Sequence, residues 1–351
     1  MEVGNPILLV AINYRLNVFG SISSLELREE ARRVGEPHVP NFGLHDQRLA
    51  LQWIQRNIYS FGGDPNMITL CGESAGALSI LCHLKAGIPL FHQAMVQSPP
   101  FLRVRSLQTA QTAFDKLVES AGVSAQADGA EKISALRLLS SGQLVRIFDG
   151  SFSTPIEDPD WFGTCDQDEN DPLHFWCDIP DWCERLILGN TEEETALMLA
   201  TGPHVSVDDT IRFTTMLYPH ATVPDILRTT LQTQHDLITW SSEQAFIKPL
   251  MIFISHITTR YSHHKLFVYR ISCPDPFPGD LQGYAWHSYG IPFTFNQPAC
   301  RTYPELSRLQ DSITSAVLMF LYGREPWQSF NRTRSTRNWT SRGEELIMVA
   351  C

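Results

Sequence analysis

The chain has 351 residues, enough for one large α/β domain or two small ones. Hydrophobic residues make up 43% and charged residues 19%, the balance of an ordinary globular protein. The formal charge of -11 argues against nucleic acid or an anionic membrane as a general partner, and no apolar run is long enough to span a membrane.

The predicted elements begin with Pro6 to Tyr14, an apolar run that reads as a buried strand. The opening "MEVGNPILLVAINYRL" does not read as a signal peptide, because Glu2 stands where a basic region is expected and no small-residue cleavage site follows. Asp46 to Ile58 has helical spacing, with Leu51, Ile54 and Ile58 on one face and Leu49 and Trp53 beside them. "FGGDPN" (61–66) reads as a turn, Met67 to Cys71 as a short buried strand, and Gln93 to Gln97 as another. From about 106 to 150 the pattern is helical, as in "AEKISALRLLSS", and 151–181 reads as an ordered loop rich in Pro, Asp and aromatics. Leu186 to Leu188 is a strand, helices fill roughly 192–262, Lys265 to Ile271 is a strand, and Pro304 to Tyr322 is a long helix. There is no internal repeat. The alternation predicts α/β architecture with helices between strands forming a cap over the sheet.

The chemistry-bearing residues follow this order. In "MITLCGESAGALSI" (67–80), Ser74 lies between Gly72 and Gly76 where a strand gives way to a helix, the setting of a nucleophile elbow. The same glycines would also suit a plain strand–helix turn. A serine hydroxyl needs a base within hydrogen-bond reach. His263 and His264 precede the strand "KLFVYRI", whereas His287 lies in the loop beyond its carboxyl end, where open α/β sheets build their sites. "LGNTEEETALM" follows another strand end and offers Glu192, Glu193 and Glu194 to orient the imidazole. Two of these three carboxylates are expected only to favour a helix N-terminus. Serine, acid, histidine is the chain order of an α/β-hydrolase.

These residues resemble the type-B carboxylesterases, a family that includes cholinesterases and some fungal lipases. The resemblance rests on "NYRLNVFG" (13–20), on "NFGLHDQRLALQWIQRNIYSFGGDPNMITLCGESAGALS" (41–79) and on "LFHQAMVQSP" (90–99). It continues through "LGNTEEET", "HSYGIPFTF" and "FLYGREPWQSF" (320–330). It implies an α/β-hydrolase fold with a mostly parallel sheet, as one domain over 1–351 with cap regions near 102–182 and 196–262. It also implies a serine carboxylic-ester hydrolase working through an acyl-enzyme on a small-molecule ester. The family's acid lies five residues after its glycine, which from Gly189 selects Glu194. Ser74 would then be the nucleophile, His287 the general base and acid, and Glu194 the orienting acid. The Ala75 N–H would be one oxyanion donor, and Glu73 would join the same buried polar network. No metal or organic cofactor is implied.

Two positions depart from the family pattern. Thr195 replaces a glycine after the acid, and Gly290 replaces the carboxylate that commonly comes three residues after the histidine. The family's Gly-Gly-Gly loop, which supplies two further oxyanion donors upstream of the "NYR" strand, has no counterpart here, so the chain is expected to lack an N-terminal part. The alternative function is therefore a catalytically impaired or non-catalytic cholinesterase-like protein. The eight cysteines show no CxxC spacing, which argues against a zinc site, and Cys165 and Cys177 could form a disulfide across an acidic stretch. Sequons at Asn331 and Asn338 are compatible with secretion, and the compartment is left open.

Overall fold

The computed structural model describes residues 6–36, 40–148, 154–163, 165, 173–201, 206–218, 221–223, 233–261 and 263–348. The chain divides into two compact units, one made of 1–6, 66–102 and 176–351, the other of 7–65 and 103–175.

The first unit is organised by a six-stranded sheet in the order β1-β2-β3-β4-β5-β6. The strands are β1 (Thr69–Glu73), β2 (Gln93–Gln97), β3 (Arg185–Thr191), β4 (Lys265–Ile271), β5 (Ser335–Thr340) and β6 (Gly343–Met348). Neighbours from β1 to β5 pair in parallel, and β6 returns antiparallel to β5. Parallel strands covered on both faces need continuous apolar runs, and β2, β3 and β4 are buried over nearly their whole length. The edge strands β1 and β6 are more exposed. The long helix Pro304–Leu321 packs Leu306, Leu309, Ile313 and Phe320 into a core shared with Phe267, Tyr269 and Trp339 of the sheet.

Sequence expectation and structure agree at β2 and β4 to the residue. The serine strand is shifted two residues from the expected buried Met67 to Cys71. It starts at Thr69, runs through Gly72 and Glu73 because those residues stay in register with Val96 and Gln97, and as an edge strand is only partly buried. The C-terminal pair β5 and β6 was not anticipated. Its segments are polar and become strands by pairing, β5 with β4 and β6 with β5. Asn338 is buried on β5 and accepts a hydrogen bond from Ser272 Oγ at 2.8 Å, which closes that sequon to glycosylation. No helix among the described residues is long and apolar enough to cross a membrane.

The second unit contains helix Phe42–Asn57, which buries Leu51 and Ile54 while Leu49 and Trp53 stay exposed. Helices Leu107–Ser120 and Gly129–Leu138 supply Phe114, Leu117, Val118, Ile133 and Leu136 to a core with Val18 and Phe148. Each has a side-chain cap: Ser106 accepts from Thr109 N–H and Asp128 from Glu131 N–H. The expected strand over Pro6 to Tyr14 is not formed. Ile7, Leu8 and Leu9 are 52%, 51% and 72% exposed. An apolar run becomes a strand only when a neighbouring strand takes up its N–H and C=O groups in a ladder. Among the described residues no strand does so, the Tyr322 hydroxyl donating to Pro6 O at 2.6 Å instead. Cys165 belongs to the second unit and Cys177 to the first, and their pairing stays a sequence expectation. Part of the 151–181 loop lies outside the described residues.

The strand–helix turn after β1 separates the roles of its two glycines. A Cβ on Gly72 would sit 2.5 Å from the carbonyl carbon and oxygen of Gly76, a clash with backbone that cannot swing away. A Cβ on Gly76 would meet nothing within 4 Å. Gly72→Ala should therefore destabilise by about 1–3 kcal/mol through overpacking. Gly76→Ala, inside helix Ala75–Lys85, should stabilise by about 0.5–1 kcal/mol through backbone entropy. Urea unfolding of the two variants checks the opposite signs.

Candidate active site

The parallel register sets the site. Glu73 pairs with Gln97, Gln97 with Gly189, and Gly189 with Tyr269, so β1 and β2 end level with that layer, and β3 and β4 run two residues beyond it to Thr191 and Ile271. The ladder continues one step past the strands, where Ser74 N–H donates to Gln97 O at 2.9 Å and Ser98 N–H to Gly189 O at 2.7 Å. Gly189 is required in this layer. A Cβ there would lie 2.4 Å from the ring of Tyr269, whose hydroxyl accepts from Gln97 Nε2 at 3.2 Å.

Ser74 leaves β1 with φ 53° and ψ −118°, in a region that residues other than glycine rarely occupy. The strain turns the side chain out of the strand path just ahead of helix Ala75–Lys85. Ala75 is the first residue of that helix, so its N–H is one of the donors that have no acceptor within a helix.

Glu194 lies in the turn after β3 and is completely buried. Its Oε1 accepts from Ser98 Oγ at 2.7 Å and from Thr191 N–H at 2.7 Å. Its Oε2 lies 2.5 Å from His287 Nδ1. His287, itself buried, comes from the loop beyond β4 and packs against the Phe246 ring at 5.3 Å between centroids. Burial pushes the imidazole pKa down, but the charge and hydrogen bond of Glu194 and the charge of Glu73 outweigh it, and the net direction is up.

The second imidazole nitrogen, Nε2, is 3.2 Å from Glu73 Oε1. The pair is within ion-pair distance but is not aligned for a hydrogen bond, and Nε2 has no hydrogen-bond partner in the structure. Ser74 Oγ is accordingly not bonded to it. Glu73 accepts instead from Ser288 Oγ at 2.8 Å. Burial raises the Glu73 pKa, and Glu194 adds to that, while His287 and the Ser288 hydroxyl work against it.

The expected residues Ser74, Glu73, Glu194 and His287 thus all belong to the sheet unit, and Glu73, Glu194 and His287 form one contact chain. His263 and His264 do not join it: His263 pairs with Asp181 at 3.2 Å, and His264 Nε2 lies 3.3 Å from Pro180 O. Three residues were missed. Ser98 and Ser288 are the hydroxyls that hold Glu194 and Glu73, and both have positive φ, 47° and 73°, as Ser74 does. Their signal in the sequence was slight, a serine directly after a strand and one directly after the histidine. The third is Glu193. It was expected to act only on a helix N-terminus, but its carboxylate accepts from Ala285 N–H at 2.7 Å in the histidine loop.

The two departures are accommodated. Thr195 is buried, with Oγ1 2.6 Å from Ser241 Oγ, 3.0 Å from Ser242 Oγ and donating to Ile238 O at 3.1 Å, so its added hydroxyl is fully engaged. Ser241 and Ser242 end the helix Gln234–Ser242, and the π-helical turn Glu243–Ile247 that follows carries Phe246 to His287. A Cβ at Gly290 would already lie 3.1 Å from Ile271 Cδ1, which leaves little room for a larger side chain.

Comparison with known proteins gives this arrangement its context. The family model described as "Carboxylesterase family" matches residues 2–341. Lipase 5 of Diutina rugosa is 38% identical over 167 residues, 44% of this chain and 27% of the lipase. Carboxylesterase patB of Aspergillus clavatus is 46% identical over 102 residues, 28% of this chain and 17% of that protein. These matched stretches span under a third of the relatives' lengths. Among solved structures, a PNB esterase superposes with a TM-score of 0.74 at 23% identity, covering 95% of this chain and 71% of the esterase, a likeness of fold. A family match over nearly every residue, on a mostly parallel sheet with helices between its strands, makes this chain a member of the carboxylesterase family with the α/β-hydrolase fold.

Proposed function

We propose that the chain is a serine carboxylic-ester hydrolase that works through an acyl-enzyme, with Ser74 as nucleophile, His287 as general base and acid, and Glu194 as orienting acid. The observation that carries this reading is the 2.5 Å pair between Glu194 Oε2 and His287 Nδ1, formed at the end of the sheet where Ser74 leaves β1 in a strained turn. Glu194 holds the proton on Nδ1 and stabilises the imidazolium, which leaves Nε2 to take the Ser74 proton. In the resting geometry Nε2 faces Glu73, so attack requires it to swing to Ser74 Oγ as the ester binds, a tightening common to such sites.

Serine oxygen then bonds to the ester carbonyl carbon, and the oxyanion draws on the Ala75 N–H. His287 returns the proton to the departing alcohol. Water, deprotonated by His287, releases the acid and restores Ser74. The regions near 102–182 and 196–262 serve as caps in this reading, and Phe246 in the second of them packs against His287. The substrate is a small-molecule ester, and this chemistry calls for no metal or organic cofactor.

One observation favours a second reading, a binding protein that keeps the fold without turnover. His287 Nε2 lies 3.2 Å from Glu73 Oε1 and is not hydrogen-bonded to Ser74, so the resting site is not set for attack. A fluorophosphonate probe and a short p-nitrophenyl ester separate the two. Esterase function predicts labelling and ester hydrolysis that both vanish in Ser74→Ala, whereas a folded chain with neither is the binding protein.

The pH profile supplies a further check. His287 is a base only when neutral, so its raised pKa moves the acid limb of kcat/KM above the ordinary imidazole value of about 6.5. Glu73→Gln removes one of the negative charges that favour imidazolium. The limb should therefore shift to lower pH in that variant, and a shift to higher pH would contradict the assigned sign.

A further inference from the structure

The loop that carries His287 leaves β4 at Ile271 and has no strand of its own, yet it delivers one nitrogen to within 2.5 Å of Glu194. Two carboxylates outside the proposed triad pin the residues immediately before it. Glu193 grips Ala285 at two points: Glu193 N–H donates to Ala285 O at 3.0 Å, and Ala285 N–H donates to Glu193 Oε2 at 2.7 Å. The two strips run as an isolated parallel bridge, Glu193 beside Trp286. Asp275 holds the next residue: its Oδ2 accepts from Trp286 Nε1–H at 2.7 Å, and its Oδ1 accepts from Phe277 N–H at 2.9 Å. The Asp275 backbone closes the loop on itself, with its N–H donating to Tyr284 O at 3.0 Å and its C=O accepting from Gly283 N–H at 2.8 Å.

Ala285 and Asp275 are both buried, and Glu193 is partly so. A buried carboxylate needs donors to offset the loss of water, and here the donors are the histidine loop itself. Because Glu193 is next to Glu194 in the chain, its grip fixes the distance between the acid and the histidine. Ala285 is held to the residue before the acid, two residues ahead of the imidazole.

We propose that Glu193 and Asp275 are positioning residues, a two-carboxylate clamp that sets the register of the His287 loop against the Glu194 turn. This rests on the catalytic reading above for its consequence in turnover, but not for its consequence at the imidazole. Neither carboxylate touches His287; the carboxylates that do are Glu194 and Glu73. The clamp uses acceptors rather than charge: Glu193 uses one oxygen, which an amide retains, and Asp275 uses both, of which an amide retains one.

The test measures the His287 imidazole titration by NMR and the rate of fluorophosphonate labelling, in the full chain, for Glu193→Ala, Glu193→Gln, Asp275→Asn and Trp286→Phe. Glu193→Ala is expected to slow labelling by about 100-fold, the cost of an ångström-scale misplacement. It should also lower the His287 pKa, as contact with Glu194 loosens. Glu193→Gln should keep both close to wild type, because Glu193 accepts with one oxygen, whereas Asp275→Asn keeps only one of two acceptors and should give a partial loss. Trp286→Phe removes the indole donor without cutting the Glu193 grip, and should give an intermediate loss, so the clamp remains testable if Glu193→Ala fails to fold. An unchanged His287 titration in folded Glu193→Ala, or a Glu193→Gln variant as impaired as Glu193→Ala, overturns the clamp. Wild-type protein that takes up no label overturns the catalytic reading instead, while its imidazole titration still decides the clamp.

Discussion

A fully buried carboxylate is the constraint around which the sheet unit is arranged. Removing Glu194 from water without partners would cost several kcal/mol, and each unmade hydrogen bond would leave about 1–3 kcal/mol uncompensated. Three groups from three places in the sequence meet that demand: the Ser98 hydroxyl after β2, the Thr191 amide at the end of β3, and the imidazole from the loop beyond β4. They can converge because the parallel register is unbroken from Glu73 to Tyr269, which brings the carboxyl ends of all four strands to the same edge, β3 and β4 two residues beyond β1 and β2. Fold and site are in this sense one set of hydrogen bonds.

Strain collects at the same place. Ser74, Ser98 and Ser288 all have positive φ, and each directly follows a strand end or the histidine. Such conformations cost on the order of 1–3 kcal/mol each and persist only where the surroundings over-determine them. For Ser98 and Ser288 the surroundings are the carboxylates of Glu194 and Glu73, which accept their hydroxyls. No carboxylate accepts the Ser74 hydroxyl in the resting geometry, and its turn is held by the backbone, Ser74 N–H donating to Gln97 O at 2.9 Å.

Positions that depart from the family pattern are absorbed locally. Where the family has glycine after the acid, Thr195 brings an extra hydroxyl into a fully buried place. Ser241 and Ser242, also buried, receive it. The helix that supplies those serines continues through a π-helical turn, a feature that often marks functional sites, and presents Phe246 to the imidazole. The substitution next to the acid and the packing on the histidine are therefore linked through a single helix.

Much of this was legible in the sequence, and the rest divides by the range of the interaction. Strands β2 and β4 could be read to the residue because each has a continuous apolar centre, Ala94 to Val96 and Leu266 to Tyr269, as a strand buried on both faces needs. The order of Ser74, Glu194 and His287 relative to strand ends likewise follows from local pattern. The run Pro6 to Tyr14 has the composition of a strand and is not one, and the polar segments of β5 and β6 lack that composition and are strands. Ladder partners decide such cases, and a partner lies far away in sequence. The same applies at the site: Ser98 meets Glu194 across 96 residues, Ser288 meets Glu73 across 215, and Ala285 meets Glu193 across 92. The sequence by itself determined which side chains have reactive chemistry and which end of the sheet they approach, since both depend on residue type and local period. Only the tertiary structure decided which carboxylate faces which imidazole nitrogen, which of two flanking glycines is sterically required, and which glutamate of three holds the histidine loop, because hydrogen-bond partners and close contacts are set by packing between segments that local sequence does not bring together.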